Sequence, residues 1–381
     1  MNDLPLPLPD RRTTKNKEDS LKNSRFVSEI NKFKPENNNN TSNSIENSNN
    51  SRDSINSNTM SIIKLKQIGD MRQKILSYRL LTEKSIFLNS LPTGEKVKKS
   101  NIILFGPSGS GKSSFIKSLY RSLYNSPILP PDVINRLIIK GRFQNEGTLC
   151  FTQLNLVKET PKNTGIMLCD TRGHFKMNEN EKEQFKILLD GGIKDGAKIE
   201  QKTERDPFAL WEFWKKSSEL FPKEIFNAEE KGINSIPHAV VFVFDGSSDE
   251  VIQKEDERFY KDLVNFSKNK GYQEIHIVLT RIDVFEKMIN ERYSNLHINE
   301  RNAKLNAMKD IKIEKIIDIL NVNRSNIHFI ENYHSEKIND NSAEIDYHIL
   351  KTMIDILNSS EVFMLYYMNM RQSCFPGCFY G

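Results

Sequence analysis

The chain lacks long apolar runs. None approaches the ~18 consecutive apolar residues that a membrane-spanning helix needs. Cysteine is scarce: four in 381 residues, at 150, 169, 374 and 378. That spacing suits neither a disulfide framework nor a four-ligand zinc site, so a disulfide-stapled secreted domain is excluded and a reducing, cytoplasmic setting is expected. Cys150 and Cys169 lie in apolar runs, where a reduced, buried thiol is the expected state. No secretory leader is read at the N-terminus, which has Pro and Asp where an apolar core would be needed. Neither charge dominates: a formal net charge of +5 calls for no nucleic-acid partner and no anionic membrane. Phe379, Tyr380 and Gly381 after Cys378 are poor prenylation residues and no strong basic cluster precedes them, so no lipid anchor is expected on Cys374 or Cys378.

What is present divides by composition. Residues 1–60 run from MNDLPLPLPD through a small basic group into PENNNNTSNSIENSNNSRDSINSNT. Little there can be buried to offset the entropy of ordering, so a disordered Asn/Ser-rich tail is expected. Over 61–95, Ile68, Met71, Ile75 and Tyr78 recur at helical steps and predict an amphipathic lead-in helix. Packing on the following domain is preferred for it over a partner or membrane surface. Residues 96–366 form the main domain, with an insertion at 175–235, and 367–381 are a short cysteine-containing tail.

The main domain is organised around residues 101–118, NIILFGPSGSGKSSFIKS. The apolar run 101–105 reads as a buried strand. Gly106, Pro107, Ser108, Gly109, Ser110, Gly111, Lys112 and Ser113 then fit G-x-x-x-x-G-K-[ST], the phosphate-binding P-loop. Successive backbone N–H groups of such a loop face one anion, Lys112 reaches the β- and γ-phosphates, and Ser113 supplies a hydroxyl to Mg2+. Phe115, Ile116, Leu119 and Leu123 follow at helical spacing, so the loop opens a helix whose N-terminal dipole faces the phosphates, with Ser114 among the phosphate-binding residues.

Strands and helices alternate beyond this point. Strands are expected at 148–157, 165–169, 239–244, 274–279 and 326–330. Helices are expected near 132–138, at 179–190, at 255–270 with Phe259, Leu263 and Phe266 on one face, at 300–320 and at 343–366. Asp206-Pro207 begins an aromatic helical segment, PFALWEFWKKSSELF, read as core rather than as a partner surface. The pattern implies an α/β P-loop NTPase domain of GTPase-like type, with a mostly parallel sheet covered by helices on both faces. Ligands of such sheets bind beyond the carboxyl ends of the strands.

Every candidate motif falls at such an end. The strand IMLC leads into Asp170-Thr171-Arg172-Gly173-His174. A carboxylate there holds Mg2+, usually through water, and the Gly173 N–H can approach a γ-phosphate because no side chain intervenes. Strand 274–279 leads into Thr280-Arg281-Ile282-Asp283. The Asp283 carboxylate can accept from N1–H and the 2-amino group of guanine, a pair of donors that adenine does not offer. Arg281 stands where lysine is usual and can lie flat along a base. Asn332 is placed for a backbone contact to guanine O6. For the metal shell, Thr148 is the switch threonine expected and Thr152 the reserve. His174 is a candidate to orient the attacking water beside the charge supplied by Lys112, and no arginine finger is identified.

The reading is a guanine-nucleotide-binding switch protein that takes GTP or GDP with Mg2+ and hydrolyses GTP slowly. A non-hydrolysing nucleotide-dependent scaffold is the alternative, and an ATPase or small-molecule kinase is a third. A protein effector of unknown identity and a nucleotide-dependent dimer are the partners this reading allows.

The wording and spacing of GPSGSGKSSF, DTRGH, HAVVFVFD, IVLTRID and ENYHSE, over about residues 70–365, resemble the interferon-induced protein 44 family of GTPase-like proteins. The resemblance implies cytoplasmic GTP binding, links to innate defence and to restraint of proliferation, phosphate binding by Gly106 to Ser113, Mg2+ at Asp170 and guanine recognition at Asp283. Members of that family tend to carry an apolar residue where His174 stands, so the resemblance does not imply hydrolysis.

Overall fold

The computed structural model describes residues 48–80, 97–137, 150–197, 225, 232–333 and 341–374. Residues 1–47 with most of the Asn-rich tract, Thr148, the aromatic segment 206–221, the HSE of ENYHSE and Cys378 lie outside the described residues, whereas 48–60, expected to belong to a disordered tail, are helical. The chain divides into two units. The first, Met1–Asn58, is described only in the opening of helix α1 (Ser48–Leu76). The sheet and its helices belong to the second, Thr59–Gly381.

The elements of the second unit run β1 (Lys99–Phe105), α2 (Lys112–Tyr124), α3 (Pro131–Leu137), β2 (Thr152–Val157), β3 (Gly165–Asp170), α4 (Glu179–Asp190), β4 (Ala239–Asp245), α5 (Lys254–Asn269), β5 (His276–Thr280), α6 (Ile282–Arg292), α7 (Ile298–Leu320), β6 (Ile327–Phe329) and α8 (Ala343–Cys374). The strands make one sheet in the order β2-β3-β1-β4-β5-β6. All neighbours are parallel except β2, which runs antiparallel to β3 at the edge. A parallel sheet needs cover on both faces, and that explains why β1, β3, β4 and β5 read as unbroken apolar runs rather than alternating ones. From Ala239 to Phe244, β4 is buried at every position, and each large apolar side chain so removed from water stabilises the fold by roughly 1.5–3 kcal/mol.

On one face Phe242 and Phe244 meet Tyr260 of α5, and Phe105 and Phe242 meet Phe185 of α4. On the other, α8 lies against α2 and the strands β1, β4 and β6. Helix α2 buries Phe115, Ile116, Leu119 and Leu123, the face that its spacing predicts, and stops where Asn125 turns left-handed and its N–H caps the Arg121 carbonyl. Free strand edges invite pairing with other chains. The main chain of β2 is instead engaged by side chains: Tyr120 donates to the Asn155 carbonyl, Tyr124 to that of Leu156, and Arg136 to that of Gln153.

Two elements differ from the sequence expectation. Residues 282–292 form α6, where no element was expected. Ile282, Phe285 and Ile289 of α6 make a small cluster of their own, with Leu305 and Met308 of α7 packed against it. Helix α5 is rotated about one residue from the expected face: it buries Tyr260, Leu263 and Val264, while Phe259 and Phe266 are half-buried. Among the described residues, no helix is long and apolar enough to cross a membrane.

Candidate functional site

The sheet order places the carboxyl ends of β3, β1, β4 and β5 side by side, with the turn after β6 beyond them. The P-loop leaves β1 and enters α2 through Gly111. That residue has φ +92°, and a Cβ there would lie 2.9 Å from Thr280 Oγ1, so only glycine lets the loop close on β5. Thr280 uses the contact: its hydroxyl donates to the Ser110 carbonyl at 2.7 Å, tying the end of β5 to the phosphate loop.

Lys112 begins α2 and is buried, its Nζ donating to the carbonyls of Gly106 and Pro107, both at 2.8 Å. Burial lowers its pKa to about 8, Asp170 opposing the shift and Arg172 adding to it. Arg172 was not singled out from the sequence, yet its charge acts on this lysine. Its guanidinium is paired with Glu181 of α4, which holds it in the buried layer. Ser110 is 2% exposed, and its hydroxyl has no hydrogen-bond partner among the described residues. A buried hydroxyl in an N–H-rich loop fits an anion, since an unmet donor costs free energy until an acceptor arrives.

Next to the loop, Ser113 Oγ lies 2.6 Å from Asp170 Oδ2, a carboxylate fully buried at the end of β3. A hydroxyl and a carboxylate are hard oxygen donors of the kind Mg2+ takes alongside substrate phosphates. Among the described residues, no cluster of three or more His, Cys, Asp or Glu could hold a metal without such help. Thr152 pairs in register with Asp170 across β2 and β3, and so stands beside this pair.

Gly173 packs on the loop so closely that a Cβ there would lie 2.5 Å from Ser108 Cα. Ser108 N–H donates to the His174 carbonyl at 2.7 Å. The His174 ring is 1% exposed, stacked on Phe105 with centroids 5.1 Å apart, and its Nε2 shares a 2.6 Å hydrogen bond with the Tyr260 hydroxyl. Burial, with Lys112 and Arg172 nearby, lowers its pKa to about 3. In this arrangement the ring is a neutral core group without access to solvent. Orienting a water would require it to leave this pocket.

At the far side, Arg281 sits in the left-handed region (φ 56°) and gives its guanidinium to Asp245 Oδ2 at 2.5 Å, rather than extending over a base. Asp245, at the end of β4, was not expected in the site. Asp283 lies in the first turn of α6. The Ile282 N–H reaches the Ile330 carbonyl, which brings the start of α6 to the turn that carries Asn332. Asn332 is buried and its Oδ1 has no hydrogen-bond partner among the described residues. Tyr333 is fixed from three sides: its N–H donates to Ser118 Oγ, its ring carries the Arg121 guanidinium 3.9 Å from the centroid, and its hydroxyl bonds Asp346.

A family model described as a protein of unknown function, DUF815, matches residues 54–199, less than half of the chain. No curated protein matches. Among solved structures, the chain is similar to the Ski7 GTPase-like domain of S. cerevisiae bound to GTP, at 13% identity over 72% of this chain and 53% of that one, TM-score 0.34. It is similar to Toc33 of Arabidopsis thaliana in complex with Mg2+ and GMPPNP, at 11% identity over 71% of this chain and 86% of that one, TM-score 0.36. It is also similar to the bacterial selenocysteine-specific elongation factor EF-Sec, at 15% identity over 69% of this chain and only 29% of that one, TM-score 0.30. The resemblance to the interferon-induced protein 44 family gains no support from these comparisons. What the sheet order and the P-loop between β1 and α2 establish is the fold class: a mostly parallel α/β domain of the P-loop, GTPase-like kind.

Proposed function

We propose that this chain is a guanine-nucleotide-binding switch protein of GTPase type, taking GTP and GDP with Mg2+ and hydrolysing GTP slowly. The observation that carries the reading is the Thr280 hydroxyl bond to the Ser110 carbonyl. It joins the loop that would hold the phosphates to the strand end that presents Asp283, so base and phosphates meet one rigid edge. In this reading the backbone of residues 106–113, Ser114 at the helix start and Lys112 receive the phosphates, and Gly173 approaches the terminal one. Asp283 accepts from guanine, and Asn332 closes the base site. Ser113 and Asp170 would hold Mg2+, with Thr148 or Thr152 to complete its shell. The metal supplies charge neutralisation to the phosphates when bound.

The buried His174 ring favours a second reading, a nucleotide-dependent scaffold with little or no turnover. Cytoplasmic location and a role in an immune or stress response rest on the family resemblance alone. An effector protein and a nucleotide-dependent dimer are extensions of the switch reading.

The test is competition of a fluorescent GDP analogue by GTP and by ATP, with Mg2+, on the full chain and on Lys112→Ala. GTP winning by a wide margin, with the variant inert, supports the reading. Equal competition turns Asp283 into an ordinary helix-opening residue and moves an ATPase or small-molecule kinase ahead. No binding to the wild type overturns nucleotide binding.

A further inference from the structure

The segment after β3 is docked on the phosphate loop, and one side chain from another element fastens it there. The docking is main-chain: Ser108 N–H to the His174 carbonyl, a bridge between Pro107 and His174, and Gly173 against Ser108 with no room for a Cβ. The fastening is the His174 ring, sunk between Phe105 and Tyr260. Its Nδ1 is buried without a hydrogen-bond partner, so the Tyr260 hydroxyl on Nε2 is the polar anchor of the ring among the described residues. Tyr260 is itself immobilised, 1% exposed and edge-on to Phe244 with centroids 4.9 Å apart.

This arrangement bears on which nucleotide fits. A diphosphate held by the later loop residues and Lys112 leaves the Ser108–Gly173 contact in place. A third phosphate reaches the segment that follows the switch aspartate, and in proteins of this kind it orders that segment through its own contacts. Here Gly173 is packed directly on Ser108 and the Ser108 N–H is already given to the His174 carbonyl. Entry of the third phosphate must therefore lift Gly173 and His174 off the loop and draw the ring away from Tyr260.

We propose that Tyr260 is a specificity-determining positioning residue: by latching His174 it sets a preference for the nucleoside diphosphate over the triphosphate. The inference rests on the nucleotide-binding reading above and deepens it. Tyr260 touches no ligand. It acts by making the undocked segment, which the triphosphate requires, less accessible.

The test measures affinities of fluorescent GDP and of a non-hydrolysable GTP analogue for the full chain with Mg2+, in wild type, Tyr260→Phe and His174→Phe. Both variants keep an aromatic ring in the pocket and remove the hydrogen bond. The wild type should prefer the diphosphate. Each variant should narrow the preference roughly threefold to tenfold, the span expected for one net hydrogen bond, by tightening triphosphate binding while diphosphate affinity holds. The double variant should add little, because both changes remove the same bond. A wild type that binds both equally, or a ratio that neither variant moves, overturns the latch and leaves nucleotide binding standing. Should one variant fail to fold, the other and the wild-type ratio still decide. Failure of the wild type to bind either nucleotide overturns the underlying reading, and the latch with it.

Discussion

Ser113 Oγ and Asp170 Oδ2 are 2.6 Å apart, although 57 residues separate them in the chain. The contact exists because β3 is the parallel neighbour of β1, with Leu104 opposite Asp170, so that the carboxylate arrives where the P-loop turns into α2. A hydroxyl from the first turn of α2 and a carboxylate from the end of β3 are the two oxygen donors proposed above to take Mg2+. Asp170→Ala should abolish the dependence of nucleotide affinity on Mg2+. Affinity with Mg2+ should fall by about tenfold to a hundredfold, the span seen when a group that supports a metal is lost. Binding titrations with Mg2+ and with EDTA read this directly. An undiminished Mg2+ effect in the variant would place the metal elsewhere.

Thr280 has a different task. Its hydroxyl is buried, donates to Ser110 and lies 3.3 Å from the Phe244 carbonyl, so it joins the ends of β4 and β5 to the loop. Thr280→Val keeps the shape and removes the donor, leaving the Ser110 carbonyl without this bond. A cost of about 1–3 kcal/mol is expected, seen as a lower melting temperature and as weaker nucleotide binding together. Loss of stability with unchanged affinity would mean that the tie braces the fold and does not shape the site.

Base selection should depend on Asp283. Two hydrogen bonds from guanine to a carboxylate are charge-assisted, and each contributes about 1.5–3 kcal/mol. Asp283→Ala should therefore reduce the preference for GTP over ATP by roughly a hundredfold or more, mainly through loss of GTP affinity. Competition against a fluorescent diphosphate measures it. A preference that survives the change would shift the burden to Asn332, the buried amide in the neighbouring turn.

How much of this was legible in the sequence depends on range. The strand–P-loop–helix order and the placing of Asp170 at a strand end were readable because each falls where an apolar run ends, a local signal. The buried face of α2 followed from spacing alone. Helix α6 was not seen: Ile282, Phe285 and Ile289 pack on Leu305 and Met308 of α7 and on Phe329 of β6, partners distant in sequence. The ring of His174 was read from its position beside the switch glycine. Its environment is made by Phe105 and Tyr260, on β1 and α5, and no local pattern reports that. The same holds for Asp245, which captures Arg281 across 36 residues and takes it from the base-stacking role that its position suggests.

Acid should weaken the fold early. Burial lowers the pKa of His174 to about 3, of His238 to about 4 and of His276 to about 3. His276 also shares a 3.0 Å contact with His328, itself lowered to about 4, so that pair cannot carry two protons. As pH falls through about 6.5, histidines of the unfolded chain take up protons and those of the native state do not. The unfolded state then binds more protons, so stability is full above about 6.5 and declines as pH drops toward the folded values. The slope approaches about 1.4 kcal/mol per pH unit for each histidine. Urea unfolding at pH 7.5, 6.5 and 5.5 should show a falling midpoint, and His238→Gln, if folded, should lessen the fall. A midpoint that does not move would mean these rings are protonated in the native state.

Lys112 gives the opposite dependence, and in binding rather than in folding. Without an anion its ammonium is held by two carbonyls in a buried site, and its pKa stands at about 8. Phosphates bring negative charge to within contact distance, which favours the charged form and raises the pKa. Binding therefore takes up a proton wherever the free lysine has lost one. Nucleotide affinity should be level below about pH 7.5 and fall above pH 8, approaching tenfold per pH unit. Lys112→Arg, whose side chain keeps its charge throughout this range, should bind with a flat profile at whatever affinity its larger head group permits. Calorimetry in buffers of different ionisation enthalpy adds a second readout, net proton uptake at pH 8.5 that disappears in Lys112→Arg. A wild-type profile as flat as that of the variant would mean that the ammonium does not meet the phosphates.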